Sequence, residues 1–378
     1  MLLIFISASI MVIAQDNRFM MWNADGTSEM VSVPYEKDQT GDVITNIISL
    51  GDAAAVDLSS IANIMKTTTL GQWIVRTLTY TFEASTNPNC IYLIDDDTEV
   101  SSEMAQSLEG LNVVKGTNAD DIVLVDGFPF YSPRSFTASN IRYERLFEKG
   151  NKRGIGGGWQ TIVLPFDVQT VSVNNKDIKW FANAYDDADF WVFQYVGDNG
   201  DRALFYYNSE GIMSAGTPYI VAVPDKSWAG NDCSLEGKSL VFYAENVMVH
   251  NTTPTAIESE NQSFIGTYSG SNELIDTYVL NDEGSSFTPN NSVGAFKAYI
   301  QKKNGSSGVH ISLAFTDGTE TGIEGISSET ASQMHQSIYD LQGRNMGSSA
   351  NNHTNNGIST HTLPKGIYIV NGKKVVIK

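Results

Sequence analysis

Phe136-Thr-Ala-Ser-Asn-Ile-Arg-Tyr-Glu-Arg-Leu-Phe147 and, beyond residues 148–158, Trp159-Gln-Thr-Ile-Val-Leu-Pro-Phe166 decide the fold class. Phe136, Ala138, Ile141, Tyr143, Trp159, Thr161 and Val163 alternate with polar neighbours, the two-residue period of a half-buried strand. The segment between them, EKGNKRGIGGG, is basic and rich in glycine. The simplest expectation is one long hairpin with that segment as its tip. Pro165 has no amide donor, which sets its strand at a sheet edge or a bulge.

The same grammar extends in both directions. Strand-like runs include Thr77–Phe82, Cys90–Ile94, Asp121–Val125, Tyr219–Val223, Ser239–Tyr243, Ala295–Ile300 and His310–Phe315, with Gly, Asn, Asp and Pro between them. Short strands separated by turn residues predict an all-β protein, a β-sandwich with a β-rich, solenoid-like or ordinary-sheet region before it. Helix is expected only at Ala53–Met65 and Ser102–Leu108.

The chain has 378 residues, 41% of them apolar and 18% charged, enough for two or three folded domains. Its formal net charge of -19 repels phosphate backbones, so nucleic acid is not an expected partner. Cys90 and Cys233 stand far apart without a CxxC, which speaks against structural zinc and leaves their pairing open.

The first residues, MLLIFISASIMVIAQDN, carry an apolar run from Leu2 to Ala14. It is too short to span a bilayer and fits a signal peptide cut between Ala14 and Gln15, although no Lys or Arg precedes it. No later run has the length of a membrane helix, so the mature chain is not expected to span a membrane. The expected order is signal peptide 1–14, β-rich region 15–112, β-sandwich 113–320, polar linker 321–336 and a C-terminal module 337–378.

That last module contains the clearest local signal. Asn371–Gly372 suits a type I′ turn, which places Tyr368 opposite Val375 and Ile367 opposite Val376. Both faces of this hairpin are partly apolar, so it needs a partner sheet. Ser337–Met346 carries another turn, with Gly343 in the left-handed position.

Ile338, Tyr339, Asp340, Leu341, Gly343 and Arg344, followed by Leu363, Pro364, Gly366, Tyr368 and the basic last strand, resemble the C-terminal sorting domains of Bacteroidota proteins exported by type IX secretion. The resemblance covers about the last 40–55 residues, and the polar stretch Gly347–Thr362 widens the usual spacing. It implies a small β-sandwich, the secretion machinery as partner, and a secreted or outer-surface location reached through the periplasm. A second resemblance runs through residues 112–250. Asp126, Gly127, Phe130, Pro133, Phe136, Thr137, Ala138, Trp159, Thr161 and Leu164–Pro165–Phe166 are similar to a module of large Bacteroides and Prevotella surface proteins. That module implies adhesion or glycan contact and no catalytic residues.

Motifs of catalysis are sparse. His250, His310, His335, His353 and His361 form no HExxH pair, and no GxSxG elbow accompanies them. Gly154–Gly158 is followed by a strand rather than a helix, which opposes a phosphate loop. Asp95–Asp97 and Asp186–Asp189 lack the spacing of a calcium loop, and read as solvated loops or a weak calcium site. Trp191, Phe193 and Tyr195 alternate and so share one strand face, either in the core or as a ligand platform. No catalytic residue, metal ligand or cofactor is assigned. The expected function is a secreted or surface binding or adhesion protein whose partner is a glycan or a host or envelope protein. A glycan-active hydrolase and a fimbria-like structural subunit are the alternatives.

Overall fold

The computed structural model describes residues 18–32, 46–60, 80–100, 102–153, 156–180, 189–207, 212–228, 234–251, 253–303, 310–315, 337–340, 345–348, 366–370 and 373–377. The chain divides into two compact units, 1–323 and 324–378. The regular structure of the large unit is nearly all β, as expected, with two ten-stranded sheets and a two-stranded one among the described residues.

The first strands are β1 (Arg18–Trp22), β2 (Ser28–Ser32), β3 (Asn46–Ser49), β4 (Ala55–Asp57), β5 (Tyr80–Glu83) and β6 (Ile91–Ile94), then α1 (Ser102–Ser107) and β7 (Asn112–Lys115). They stack as coils: β3 runs parallel to β5, while β4, β6 and β7 run parallel in a row. The second corner lies on the first, with Thr86 N donating to Gly51 O at 2.8 Å and Ser85 Oγ to Ala53 O at 2.8 Å. This is the solenoid-like arrangement, capped at its start by the antiparallel β1–β2 hairpin. Ile91 and Leu93 face one core while Tyr92 and Ile94 face another, which explains an apolar run without alternation. The helix expected at Ala53–Met65 is corrected at its start, where Ala55–Asp57 form β4, while Ser59–Ser60 are helical and the rest lies outside the described residues. Ala53 to Val56 and Leu58 are at most 2% exposed, with β4 buried on both faces between β1 and β6. The helix near Ser102 is present.

Cys90 lies in the solenoid core as a free thiol, 1% exposed, and Cys233 lies outside the described residues. Burial pushes the Cys90 thiol up to about 12, far from the thiolate that reacts. In a Cys233→Ser background the native protein should leave Cys90 unlabelled by a thiol reagent, with full labelling after unfolding. Native labelling at the rate of a free cysteine would contradict this burial.

The chain continues with β8 (Asn118–Val125), β9 (Phe136–Phe147), β10 (Gln160–Ile162), β11 (Thr170–Val173), β12 (Lys176–Asp177), β13 (Trp191–Asn199), β14 (Arg202–Tyr207), β15 (Tyr219–Ala222) and β16 (Lys238–Val249). It ends the unit with β17 (Ala256–Glu258), β18 (Gln262–Thr267), β19 (Thr277–Leu280), β20 (Ser286–Pro289), β21 (Lys297–Lys302) and β22 (Ile311–Phe315). The first large sheet has the order β12-β11-β16-β9-β8-β7-β6-β4-β1-β2, and the second β10-β15-β13-β14-β22-β20-β19-β21-β18-β17. The first sheet therefore crosses residue 112 without a break, joining the solenoid strands to the sandwich strands.

The expected hairpin does not form. β9 pairs with β8 and β16, whereas β10 pairs with β15 in the other sheet. The glycine-rich segment carries the chain between sheets, and its glycines are needed for close backbone approach. A Cβ on Gly158, whose φ is +71°, would stand 2.5 Å from the Gly150 carbonyl carbon. β10 is an edge strand, in keeping with Pro165 just beyond it.

The two sheets face each other across Ile141, Tyr143, Phe242 and Ala244 on one side and Val192, Tyr219, Val221 and Val223 on the other. One charged residue sits in that layer. Arg145, 1% exposed, donates from Nε to Tyr143 Oη at 2.8 Å, from Nη1 to Thr161 O at 2.7 Å, and from Nη2 to Asp126 Oδ1 and Phe296 O, both at 3.1 Å. Tyr143 also donates to Asp126 Oδ1 at 2.5 Å. The guanidinium thus ties β9 to β10 and to the residue before β21. The second sheet curls around its own core of Trp159, Tyr195, Phe205, Phe264, Phe287 and Ile300.

The C-terminal unit has β23 (Ser337–Asp340), β24 (Asn345–Ser348), β25 (Gly366–Val370) and β26 (Lys373–Ile377). They form one antiparallel sheet, order β24-β23-β25-β26. Tyr368 pairs with Val375 and Ile367 with Val376, the register read from the sequence. A second layer of the expected small sandwich is not among the described residues.

Candidate functional site

An open groove of about 1130 Å³ lies between the solenoid and the outer face of β8, β9 and β16. It exists because β7 and β8 pair only at Lys115↔Asn118 and then splay apart. Two asparagine side chains span the gap in place of backbone. Asn112 accepts from Val123 N at 2.7 Å and donates to Val123 O and Pro88 O, both at 3.1 Å. Asn89, fully buried, accepts from Val125 N at 2.7 Å and donates to Val125 O at 3.0 Å and Phe128 O at 2.8 Å. A carboxamide carries both a donor and an acceptor, so it can replace one rung of a ladder.

The groove floor has an irregularity that spans three strands. Ladder pairing runs Ala119↔Ala138 and then Asp121↔Asn140, and on the other side Glu245↔Asn140 and then Val247↔Ala138. Asp120, Ser139 and Asn246 are skipped together. On each strand two successive residues point outward between buried ones: Asp120–Asp121 between Ala119 and Ile122, Ser139–Asn140 between Ala138 and Ile141, Glu245–Asn246 between Ala244 and Val247. Asn246 takes the left-handed region there, φ 48°. Gln169 secures it by accepting from Glu245 N at 3.0 Å and donating to Glu245 O at 2.9 Å. The pairing register is the same on either side, so the irregularity changes which side chains face outward and not which residues pair.

The dislocation gathers polar side chains on the floor. The Tyr243 hydroxyl lies 2.9 Å from Asn140 Oδ1 and 2.7 Å from Glu245 Oε1. The hydrogen bond to Glu245, then burial and the charges of Glu245 and Asp121, hold the phenol above its usual value, so it stays a donor. Among the described residues the side chains of Asp120, Asp121, Arg142 and Lys115 have no hydrogen bond or ion pair, although all four line the groove. The opposite wall is apolar, built from Val100, Leu108, Leu111 and Val113. The doublets Asp-Asp, Ser-Asn and Glu-Asn interrupting apolar runs are the signal that could have located this floor in the sequence.

The sequence candidates fall elsewhere. Trp191, Phe193 and Tyr195 do share one face, and it is turned toward the curled sheet's core. Tyr195 is 3% exposed against Phe205 and Phe264, so it offers no open ring face. Phe193 packs on Trp159 and Phe315, and Trp191 on Trp228 at 4.7 Å between centroids. Among the described residues no group of three or more His, Cys, Asp or Glu is arranged to hold a metal. Asp186, Asp187 and Ala188 lie outside them, as do Ala14 and Gln15 of the expected cleavage. Of the sorting residues, Tyr339, Asp340, Gly366 and Tyr368 lie on β23 and β25, which pair Asp340 with Tyr368. Leu341, Gly343, Arg344, Leu363, Pro364, Asn371 and Gly372 lie outside the described residues.

Residues 320–376 match the family described as the secretion system C-terminal sorting domain. The match covers the C-terminal unit and supports export through type IX secretion, to the outer surface or beyond it, with the secretion machinery as partner. No curated protein and no solved structure matches the chain. No helix among the described residues is long and apolar enough to cross a membrane.

Proposed function

We propose that the large unit is exported cargo of a Bacteroidota-type envelope and acts, secreted or at the cell surface, as a non-catalytic binding or adhesion protein. The observation that carries this reading is the groove, where Asp120, Asp121, Arg142 and Lys115 make no side-chain hydrogen bond or ion pair among the described residues, in a chain that ends in a sorting domain. Polar groups that converge in a concavity are the usual makings of a ligand site. The resemblance of residues 112–250 to a surface-protein module points the same way. The signal peptide at 1–14 and the sorting residues from Tyr339 to Gly372 would be the means of export.

The test is fractionation of native host cells with intact mass measurement, followed by pull-down on the immobilised mature protein. Recovery from the medium or outer surface, with saturable retention of one ligand class that is released unchanged, is expected. Recovery of the full chain from the cytosol, or turnover of what it retains, overturns the reading. Turnover would favour the second reading, a glycan-active hydrolase, because Asp96, Asp120 and Asp121 place several carboxylates in one groove.

A further inference from the structure

Resting on the binding reading above, we infer that the groove between β7 and the outer face of β8, β9 and β16 takes a neutral oligosaccharide. The charges decide the class. Asp120 and Asp121 bring acceptors, Arg142 and Lys115 bring donors, and both signs line one groove without pairing to each other. Val123 pairs with Arg142 and Asp121 with Asn140, so Asp121 and Arg142 are diagonal neighbours on adjacent strands. A strongly cationic or anionic ligand would satisfy one sign and meet repulsion from the other. A sugar hydroxyl donates and accepts at once, and neighbouring hydroxyls can bridge a carboxylate and a guanidinium that stand apart. Asn118 and Asn140 add carboxamides, which have the same double capacity.

The shape agrees with the chemistry. The floor is polar and the facing wall of Leu108, Leu111, Val113 and Val100 is apolar, which suits a ring with hydroxyls at its rim and C–H groups on its face. The cavity, about 1130 Å³, exceeds what a single small molecule fills, so several linked sugar units are the fitting length. The aligned break of alternation in three strands, which leaves their register unchanged, gives each strand two successive outward side chains where regular pleating would give one.

The experiment uses the mature exported protein and a panel of neutral four- to six-unit oligosaccharides, followed by calorimetry and by saturation-transfer NMR. A lysine-rich peptide and a sulfated oligosaccharide serve as charged probes. At least one neutral oligosaccharide should bind saturably, and Asp121→Ala and Arg142→Gln should each weaken it about tenfold or more. Both residues are exposed, so the melting temperature of each variant should match the parent. Glu258→Gln, remote from the groove, should bind as the parent does. Binding of a charged probe alone, lost in the same two variants, overturns the oligosaccharide assignment and leaves the binding reading standing. Oligosaccharide binding untouched by either variant overturns the assignment to this groove. Cleavage of the bound oligosaccharide overturns the non-catalytic reading itself, and loss of cleavage in Asp120→Asn or Asp121→Asn would identify its carboxylates.

Discussion

Arg145→Ala should lower the stability of the large unit by about 3 kcal/mol, the lower end of the range for breaking a buried charge pair, because the Asp126 side chain left behind is 29% exposed. The size follows from what remains. Asp126 and the carbonyls of Thr161 and Phe296 lose a donor together, and water has poor access to a layer where Tyr143 and Phe296 are fully buried. Phe296 adds to the loss because it holds φ +56° with its carbonyl shared between Arg145 and Val163 N. Arg145→Lys keeps the charge and loses the planar fork, so it should fall between parent and alanine variant. Chemical denaturation with matched m-values measures all three. A loss below about 1 kcal/mol for alanine would mean that the guanidinium is a passenger.

The same network carries a pH signature. Burial works to raise the Asp126 carboxyl, but the charge of Arg145 and the hydrogen bonds from Tyr143 and Arg145 outweigh it and hold it below its usual value of 3.8. A carboxyl lowered in the folded state contributes stability that is present above its unfolded value and disappears as pH falls through its folded value. The parent should therefore lose this contribution below about pH 4, and Asp126→Asn should show a flatter profile there.

The second large effect concerns the asparagines that join solenoid to sandwich. Asn89→Ala should cost about 2 kcal/mol, since it takes three hydrogen bonds at once from Val125 N, Val125 O and Phe128 O, whose residues are partly exposed. Asn112→Ala strands Val123 N, Val123 O and Pro88 O and should cost a similar amount, about 2–3 kcal/mol. Asn89→Asp tests the mechanism, because a carboxylate can accept from Val125 N but cannot donate to the two carbonyls. It should be nearly as damaging as alanine. Hydrogen exchange should show β8 opening in each variant, and unchanged protection at Val123 and Val125 would sink the splice.

Local patterns in the sequence carried much of this fold. The two-residue period of β9 and the Asn371–Gly372 pair, which predicts a turn, depend on neighbours along the chain, and the observed strands and the register of β25 with β26 follow them. Partner choice does not depend on neighbours. Phe136–Phe147 and Trp159–Phe166 looked like two arms of one hairpin because each is apolar on one face, but such arms can as well face each other from separate sheets. Ala53–Leu58 looked helical because small residues suit helices, whereas burial on both sides of a parallel stack suits them too. The groove was invisible for a related reason. Asp120–Asp121, Ser139–Asn140 and Glu245–Asn246 become one surface only after β8, β9 and β16 are aligned.

The place of β16 in the chain bears on how the protein is made. β9 ends at Phe147, and its second edge is covered only when Lys238–Val249 has emerged from the ribosome. Throughout that interval a nascent chain carries an uncovered twelve-residue edge whose alternate side chains are apolar, the kind of template on which other chains add strands. A chain cut short before Lys238 keeps that hazard permanently, so premature termination between β9 and β16 yields an aggregating product rather than a smaller working one.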